Sequence, residues 1–162
     1  MIMRMSKKVS GKPAYTKQKI HIAVTIFVMA IIFIQSALPG DVSTAESDAI
    51  SQVSLGLTQL PERVATFIIR KSAHFLEYMI LGICFGVNVR DWMDRRAADL
   101  SRMKLVMIPW ALSTVYAVTD EIHQAFVPGR DCALIDVGID SAGALIGSML
   151  VLLIWKSARR VK

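Results

Sequence analysis

The sequence predicts an all-α membrane protein with four transmembrane helices, and three observations lead to this fold class. The chain has 162 residues, is 54% hydrophobic and has a mean hydropathy of +0.48, which is more apolar than a soluble domain of this size. It contains four apolar stretches, and a helix of about 17 to 25 residues crosses the hydrocarbon core of a bilayer. The Lys and Arg residues lie in short segments flanking those stretches, where they set topology. The net charge of +6 therefore indicates a lipid bilayer as partner and not a nucleic acid.

Proline–glycine pairs mark the ends of two of the spans. The predicted spans are Ile20 to Leu38, Ser72 to Val89, about Lys104 to Phe126, and Ala133 to Trp155. The first is longer than an ordinary signal-peptide core and no small-residue cleavage site follows it, so we expect it to be retained. This gives a basic N-terminal segment over 1–19, a membrane domain over 20–155 and a basic tail over 156–162.

The positive charges predict the orientation of the spans. Fifteen of the 19 Lys and Arg residues fall in the N-terminal segment, the loop between the second and third spans, and the tail. Because such residues are retained on the cytoplasmic side, both termini are predicted to be cytoplasmic. The loop from Pro39 to about Lys71 and the turn from Val127 to Cys132 then face outward. We expect one or two short surface helices in that loop, one of them opened by Pro61-Glu62.

Ionisable residues recur on single faces of three predicted helices. Residues three, four or seven apart share a helix face, and a charge at mid-bilayer costs about 2.5 to 3.5 kcal/mol on insertion scales. All of these residues fall in the outer half of the membrane when the spans are threaded as above. We therefore predict one cavity at the outer end of the bundle, formed by Lys71, His74, Glu77, Asp120, Arg130 and Asp140.

The leading functional hypothesis is an outward-facing site that binds or modifies the polar head group of a lipid or of a cell-envelope precursor. Lys71 and Arg130 suit a phosphate or carboxylate, and Tyr78 and Gln124 would orient the ligand. Five acids would hold cationic or hydroxyl groups or balance the two bases: Glu77, Asp120, Glu121, Asp136 and Asp140. Whether a reaction follows is open, and the candidates for acid–base roles are His74, Glu77, Asp120, Glu121 and Asp140.

Three other classes stay open. A membrane metalloenzyme would use His74, Glu77 and Asp120, but these lack the two-histidine spacing of zinc motifs, so a hard cation is favoured over zinc. An ion or proton carrier lacks a polar path through the cytoplasmic halves of the spans. A scaffold would use the polar cluster only to fix helix packing. No cofactor is identified by the sequence. With five acids facing two bases, we expect Asp140 or Asp120 to carry a proton or to bind a cation.

Two strings resemble the motifs of the VanZ-like family of small bacterial polytopic membrane proteins. The first is Arg70-Lys71-x-x-His74-Phe75-x-Glu77-Tyr78-x-x-Leu81-Gly82. The second is Asp120-Glu121-x-x-Gln124-x-Phe126-x-Pro128-Gly129-Arg130, followed by Asp136 and Asp140-x-x-Gly143-x-x-x-Gly147. Ser36, before Pro39-Gly40, resembles the serine-containing end of the family's first span.

The resemblance implies a multi-pass protein of the bacterial cytoplasmic (inner) membrane with a connection to the cell envelope. The family is named for a member that lowers sensitivity to the glycopeptide antibiotic teicoplanin. Many members carry Asn at the position of Asp140, so this chain departs from the family there by a carboxyl group.

Overall fold

The described part of the chain forms five helices. The computed structural model describes residues 12–55, 61–96, 101–130 and 132–160, and these ranges contain no strand. The helices are α1 (Lys12–Ser36), α2 (Gly40–Leu55), α3 (Glu62–Arg96), α4 (Arg102–Gln124) and α5 (Leu134–Arg160). Segment 1–11, with Arg4, Lys7 and Lys8, and residues 161–162, with Lys162, lie outside the described residues.

Four of the helices are long and apolar enough to cross a membrane. They are α1, α3, α4 and α5, and their candidate spans are Tyr15–Ser36, Arg63–Arg96, Arg102–Gln124 and Leu134–Ala158. The predicted fold class is confirmed to this extent. The fifth helix, α2, has 16 residues and is rich in Ser and Asp, so it is too short and too polar to be a fifth span.

Helix α3 starts earlier than the second predicted span. The sequence analysis placed that span from Ser72 and a separate short helix at Pro61-Glu62, but α3 runs unbroken from Glu62 to Arg96. Hydropathy marks only the part of a helix that suits hydrocarbon, whereas backbone hydrogen bonding continues into polar sequence until a residue such as Pro61 interrupts it. The polar first turns of α3 are therefore continuous with its apolar part.

Small residues hold α3 and α5 together. A methyl group added to Gly82 would overlap the carbonyl oxygen of Ala144, and one added to Gly147 would overlap that of Met79. Gly143 meets the carbonyl oxygen of Phe75 in the same way. Such close backbone approach is how helices pack in lipid, where burying apolar surface gives no driving force. The Gly143-x-x-x-Gly147 spacing of the second sequence string therefore forms a packing face against α3.

The core lies where α1, α3, α4 and α5 meet. It is formed by Ile32, Tyr78, Leu81, Ala117 and Ala144. Tyr116 on α4 donates from its hydroxyl to the carbonyl oxygen of Met29 on α1 over 2.7 Å, which satisfies a polar group inside the apolar bundle. Large apolar side chains cover the outside of the helices, as a lipid-facing surface requires.

Two turns meet at one end of the bundle, here called the polar end. It comprises the C-termini of α1 and α4, all of α2, and the first turns of α3 and α5. The Gly40 amide donates to the carbonyl oxygen of Pro128 over 3.0 Å, and a Cβ on Gly40 would collide with the Gly129 backbone. Gly129 has a φ of 73°, a conformation that favours glycine. The opposite end, where α3 runs towards α4, is called the basic end.

Candidate functional site

A cavity of about 150 Å³ opens at the polar end and is called the hydroxyl cavity. It lies between α1, α2, α3 and α4. Three serines on α1 and α2 and two carboxylates, on α3 and α4, give its walls their acceptor-rich character. The lining residues are Ile32, Gln35, Ser36, Ser43, Ser47, Ile69, Arg70, Ala73, His74, Glu77, Asp120 and Arg130.

A second cavity of about 370 Å³ adjoins the first and is called the arginine cavity. Its walls come from α3, from the turn between α4 and α5, and from the start of α5. Arg70, His74 and Arg130 line both cavities, so the two share one wall. The lining residues of the arginine cavity are Arg63, Thr66, Phe67, Arg70, Lys71, His74, Gln124, Gly129, Arg130, Ala133 and Asp136.

Lys71 is held by an acid of the same site. Its ammonium group donates to Oδ1 of Asp136, which stands in the first turn of α5. The side chains are 23% and 12% exposed, respectively. The ion pair joins α3 to α5 across the arginine cavity and occupies one of the two bases that the sequence analysis assigned to a ligand.

His74 lies close to the carboxylate of Asp140. Its Nδ1 lies 3.8 Å from Oδ1 of Asp140, whose side chain is fully buried. Among the described residues neither oxygen of Asp140 has a hydrogen-bond partner, and neither has Nδ1 of His74. The distance exceeds that of a hydrogen bond, so the two groups face each other with unmet donors and acceptors. His74 itself lies on the shared wall of both cavities.

Glu121 and Asp120 are adjacent in sequence but have different hydrogen-bond partners. Glu121 is 1% exposed, and its Oε2 accepts from the Ala133 amide over 2.9 Å, just before α5 begins. A carboxylate there satisfies a backbone donor and suits the positive end of the helix dipole. Asp120 accepts from the Gln124 amide group over 3.3 Å, while its other oxygen, Oδ1, is buried without a partner among the described residues. Asp120 therefore keeps an unpaired acceptor in the wall of the hydroxyl cavity.

Arg130 ties the turn between α4 and α5 to the end of α1. Its Nε donates to the carbonyl oxygen of Leu38 over 3.1 Å, and a terminal nitrogen donates to that of Gln35 over 3.0 Å. The Gln35 carbonyl lies in the last turn of α1, and the Leu38 carbonyl lies in the turn that follows this helix. Arg130 thus caps α1 while its guanidinium group lines both cavities.

A family model described as VanZ/LLP1 matches residues 21–155. The chain belongs to the VanZ/LLP1 family. The match includes every residue that lines the two cavities, and it confirms the resemblance drawn from the two sequence strings. No curated protein and no solved structure matches the chain.

The predicted site residues of this VanZ/LLP1 protein are distributed over two cavities. His74, Glu77, Asp120 and Arg130 line the hydroxyl cavity. The arginine cavity takes Lys71, Gln124 and Asp136 together with the shared His74 and Arg130. Tyr78, Glu121 and Asp140 are 0%, 1% and 0% exposed, and none of the three lines either cavity. These three lie behind the walls because their helix faces turn towards neighbouring helices.

Several wall residues were missed by the sequence analysis of the VanZ/LLP1 chain. Ser43 and Ser47, four residues apart on one face of α2, line the hydroxyl cavity; only that spacing hinted at a shared face. Arg63 and Arg70 line the arginine cavity, although Arg70 opens the first family string. The periodicity of the apolar spans could not reveal any of them, because they lie on polar helix turns.

The geometry gives no support to the metalloenzyme alternative. The described residues of the VanZ/LLP1 protein contain no group of three or more His, Cys, Asp or Glu side chains arranged to hold a metal ion. His74, Glu77 and Asp120 share a cavity wall but do not form such a group.

Near the basic end, Nδ1 of His21 lies 2.5 Å from Oδ2 of Asp91. The sequence analysis did not predict this pair.

Proposed function

We propose that this protein binds, at the outer face of the cytoplasmic membrane, the head group of an amphiphile that carries an anionic group beside hydroxyl or amine groups. The observation that carries the proposal is the pair of adjoining cavities with Arg70, His74 and Arg130 in their common wall. Beyond these shared residues, one cavity adds the bases Arg63 and Lys71 and the other adds hydroxyls and carboxylates, so a head group with both kinds of polar function would meet matching partners.

The arginine cavity suits the anionic part of the ligand. Arg63, Arg70 and Arg130 line it, and the planar guanidinium group matches phosphate and carboxylate oxygens in pairs. Lys71 is engaged by Asp136, so we assign anion binding to the arginines first. A volume of about 370 Å³ accommodates a head group, whereas the acyl chains would remain in the bilayer.

The hydroxyl cavity suits the neutral or cationic part of the ligand. Ser36 is 3% exposed, and its hydroxyl has no partner among the described residues. Oδ1 of Asp120 is also buried without one. A buried polar atom without a partner costs about 1 to 3 kcal/mol, and a hydroxyl or ammonium group of a ligand would remove this cost at both atoms.

The outward orientation rests on the distribution of positive charge. Fifteen of the 19 Lys and Arg residues fall in the N-terminal segment, the loop between the second and third spans, and the tail, and the positive-inside rule then assigns the basic end to the cytoplasm. The polar end then faces outward, where head groups of the outer leaflet and envelope precursors are within reach.

The test compares what stays bound to the protein after purification in mild detergent. Glu77→Gln removes a cavity carboxylate, whereas Asp41→Asn removes an exposed carboxylate of α2 outside both cavities and is the matched control. We expect one class of polar amphiphile, identified by mass spectrometry, to be enriched over bulk lipid. Its enrichment should fall about tenfold or more in Glu77→Gln, as for the loss of one charged hydrogen bond, and persist in Asp41→Asn. Lipid profiles equal to bulk lipid in the wild type would contradict the proposal.

A scaffold role is the second candidate, and the inter-helical bonds favour it. Lys71 with Asp136, Glu121 with the Ala133 amide, and Arg130 with the end of α1 all join helices. If packing were the whole purpose of the cluster, Glu77→Gln, which breaks none of these bonds, would leave the bound lipid unchanged, and Lys71→Met would lower the amount of folded protein. If the head group is bound, the amount of folded Glu77→Gln protein stays constant and the bound lipid changes.

A further inference from the structure

The imidazole of His74 lies in the wall that the two cavities of the polar end share. Its side chain is 17% exposed, but its Nδ1 is buried and faces the Asp140 carboxylate at 3.8 Å. The exposed part of the ring is therefore the edge away from Asp140, which carries Nε2. This nitrogen is the one that a ligand in either cavity would meet.

His74 and Asp140 together have the arrangement of an acid–base pair. A carboxylate behind one ring nitrogen of a histidine fixes the proton there and leaves the other nitrogen free to accept one. Asp140 is 0% exposed and receives no hydrogen bond from the described residues. The separation exceeds a hydrogen bond by about 1 Å, and such contacts are often long before substrate binds and shorten in the complex.

The junction of the two cavities selects the bond that would react. The anionic group of the proposed ligand lies in the arginine cavity and its hydroxyl or amine part in the hydroxyl cavity, so the bond joining these parts passes the shared wall. Arg70 and Arg130 stand in that wall with His74, and Arg70 has no ion-pair partner in the part of the chain that the structure describes. Guanidinium groups so placed bind the non-bridging oxygens of a phosphate and stabilise the charge that develops on them.

We propose that this protein hydrolyses a phosphodiester in the head group of a membrane amphiphile, with His74 as the catalytic acid–base residue and Asp140 as its positioning residue. The activity rests on the proposed function, because the two cavities must hold the head group as described there. Nε2 of His74 takes a proton from water while the water oxygen forms a bond to phosphorus. The bond from phosphorus to the alcohol oxygen breaks, and the imidazolium returns the proton to that oxygen. One water is consumed, and the products are a membrane-bound phosphomonoester and a free alcohol.

The test follows phosphorus in mixed micelles that contain the purified protein. The probes are phosphatidylglycerol, phosphatidylethanolamine and a total lipid extract of the host cells, and phosphorus NMR separates phosphodiester from phosphomonoester. In water labelled with heavy oxygen, the label should enter the phosphomonoester and be absent from the released alcohol, because the water attacks phosphorus.

Variants separate an acid–base role from a packing role. His74→Gln should lower kcat by about 100-fold or more, as for the loss of a general acid–base group, and change KM by less than about threefold. The control His123→Gln removes a histidine that stacks on Phe33 and lines neither cavity, and it should keep the wild-type rate.

Asp140→Asn tests the positioning role and carries the test if His74→Gln does not fold. An amide still accepts a hydrogen bond from Nδ1 but does not balance the charge of the imidazolium, so kcat should fall by about tenfold or more while KM stays constant. Circular dichroism checks that the variant is folded. A loss of folded protein with unchanged kcat would give Asp140 a packing role only and would overturn its assignment.

Three outcomes would overturn the activity. They are the absence of phosphomonoester from all three probes with the wild type, label in the released alcohol, and equal rates in the wild type and His74→Gln. An amphiphile that is enriched on the wild type but not hydrolysed would sink the activity and leave the proposed binding function standing. Bound lipid equal to bulk lipid, together with no hydrolysis, would contradict both.

Discussion

Replacing Lys71 by Met tests whether this residue serves the bundle or a ligand. The change keeps a side chain of similar length but leaves the carboxylate of Asp136, which is 12% exposed, without its cation. Removing one partner of a buried ion pair costs about 3 to 5 kcal/mol. Because 23% of the Lys71 side chain is exposed and water reaches the pair, we expect a cost near the lower limit, about 3 kcal/mol.

The reverse change should cost less. Asp136→Asn leaves a lysine whose flexible stem can carry its charge towards the interface, so we expect about 1 kcal/mol. Lys71→Met/Asp136→Asn removes both charges and should cost little more than Asp136→Asn alone. The double-mutant cycle then gives a coupling energy of about 2 to 3 kcal/mol, at the upper end for residues in direct contact.

The cycle is measured by reversible unfolding in mixed micelles with increasing denaturing detergent, followed by far-ultraviolet circular dichroism. Lys104→Met, at an exposed position near the start of α4, is the control for loss of a lysine and should change the free energy of unfolding by less than about 0.5 kcal/mol. Costs that add within about 0.5 kcal/mol would refute the reasoning, and Lys71 would then be available to a ligand.

Three further predictions concern topology, packing and the buried acid. A maleimide that cannot cross the membrane should label the exposed Cys132 in intact cells and should miss Ala97→Cys, with the native cysteines replaced; labelling at position 97 would invert the orientation and place the polar site in the cytoplasm. Gly147→Ala should lower the free energy of unfolding by about 1 to 3 kcal/mol, because the new methyl group meets the Met79 backbone, whereas Gly138→Ala, with nothing near its added Cβ, should be neutral or stabilising by up to about 1 kcal/mol; equal effects would contradict this packing. Asp140→Asn should keep the protein abundant and folded, because both carboxylate oxygens lack a donor among the described residues; loss of expression, with Lys104→Met expressed normally, would show that the anion is needed.

The spans were predictable because hydrophobic length is a direct physical requirement of the bilayer. The third predicted span, from about Lys104 to Phe126, differs from α4 (Arg102–Gln124) by two residues at each end. The start of α3 was not predictable in this way. Its first ten residues include Arg63 and Arg70. The helix is continuous through these residues, but the apolar run that marks the span is not.

The candidate site was predictable where residues of one helix share a face. Lys71 and His74 on α3 meet Asp136 and Asp140 on α5 because residues three and four apart lie one turn apart on both helices. The contribution of α2 depends on its packing against α3, which no pattern within α2 encodes, so Ser43 and Ser47 could not be placed. The burial of Tyr78 was likewise hidden, since its position on the shared face of α3 is compatible with either a wall or a core.

The contact between the two turns of the polar end has a consequence for the order in which the protein is made. Residues just after the end of α1 leave the ribosome some ninety positions before Pro128 and Arg130, which supply their hydrogen-bond partners. Until the final hairpin has entered the bilayer, the Leu38 carbonyl, which accepts from Arg130 in the finished bundle, must find another donor, and the hydroxyl cavity lacks its Arg130 wall. The site thus forms among the last features of the nascent chain, and a chain shortened before residue 130 would carry three spans without it.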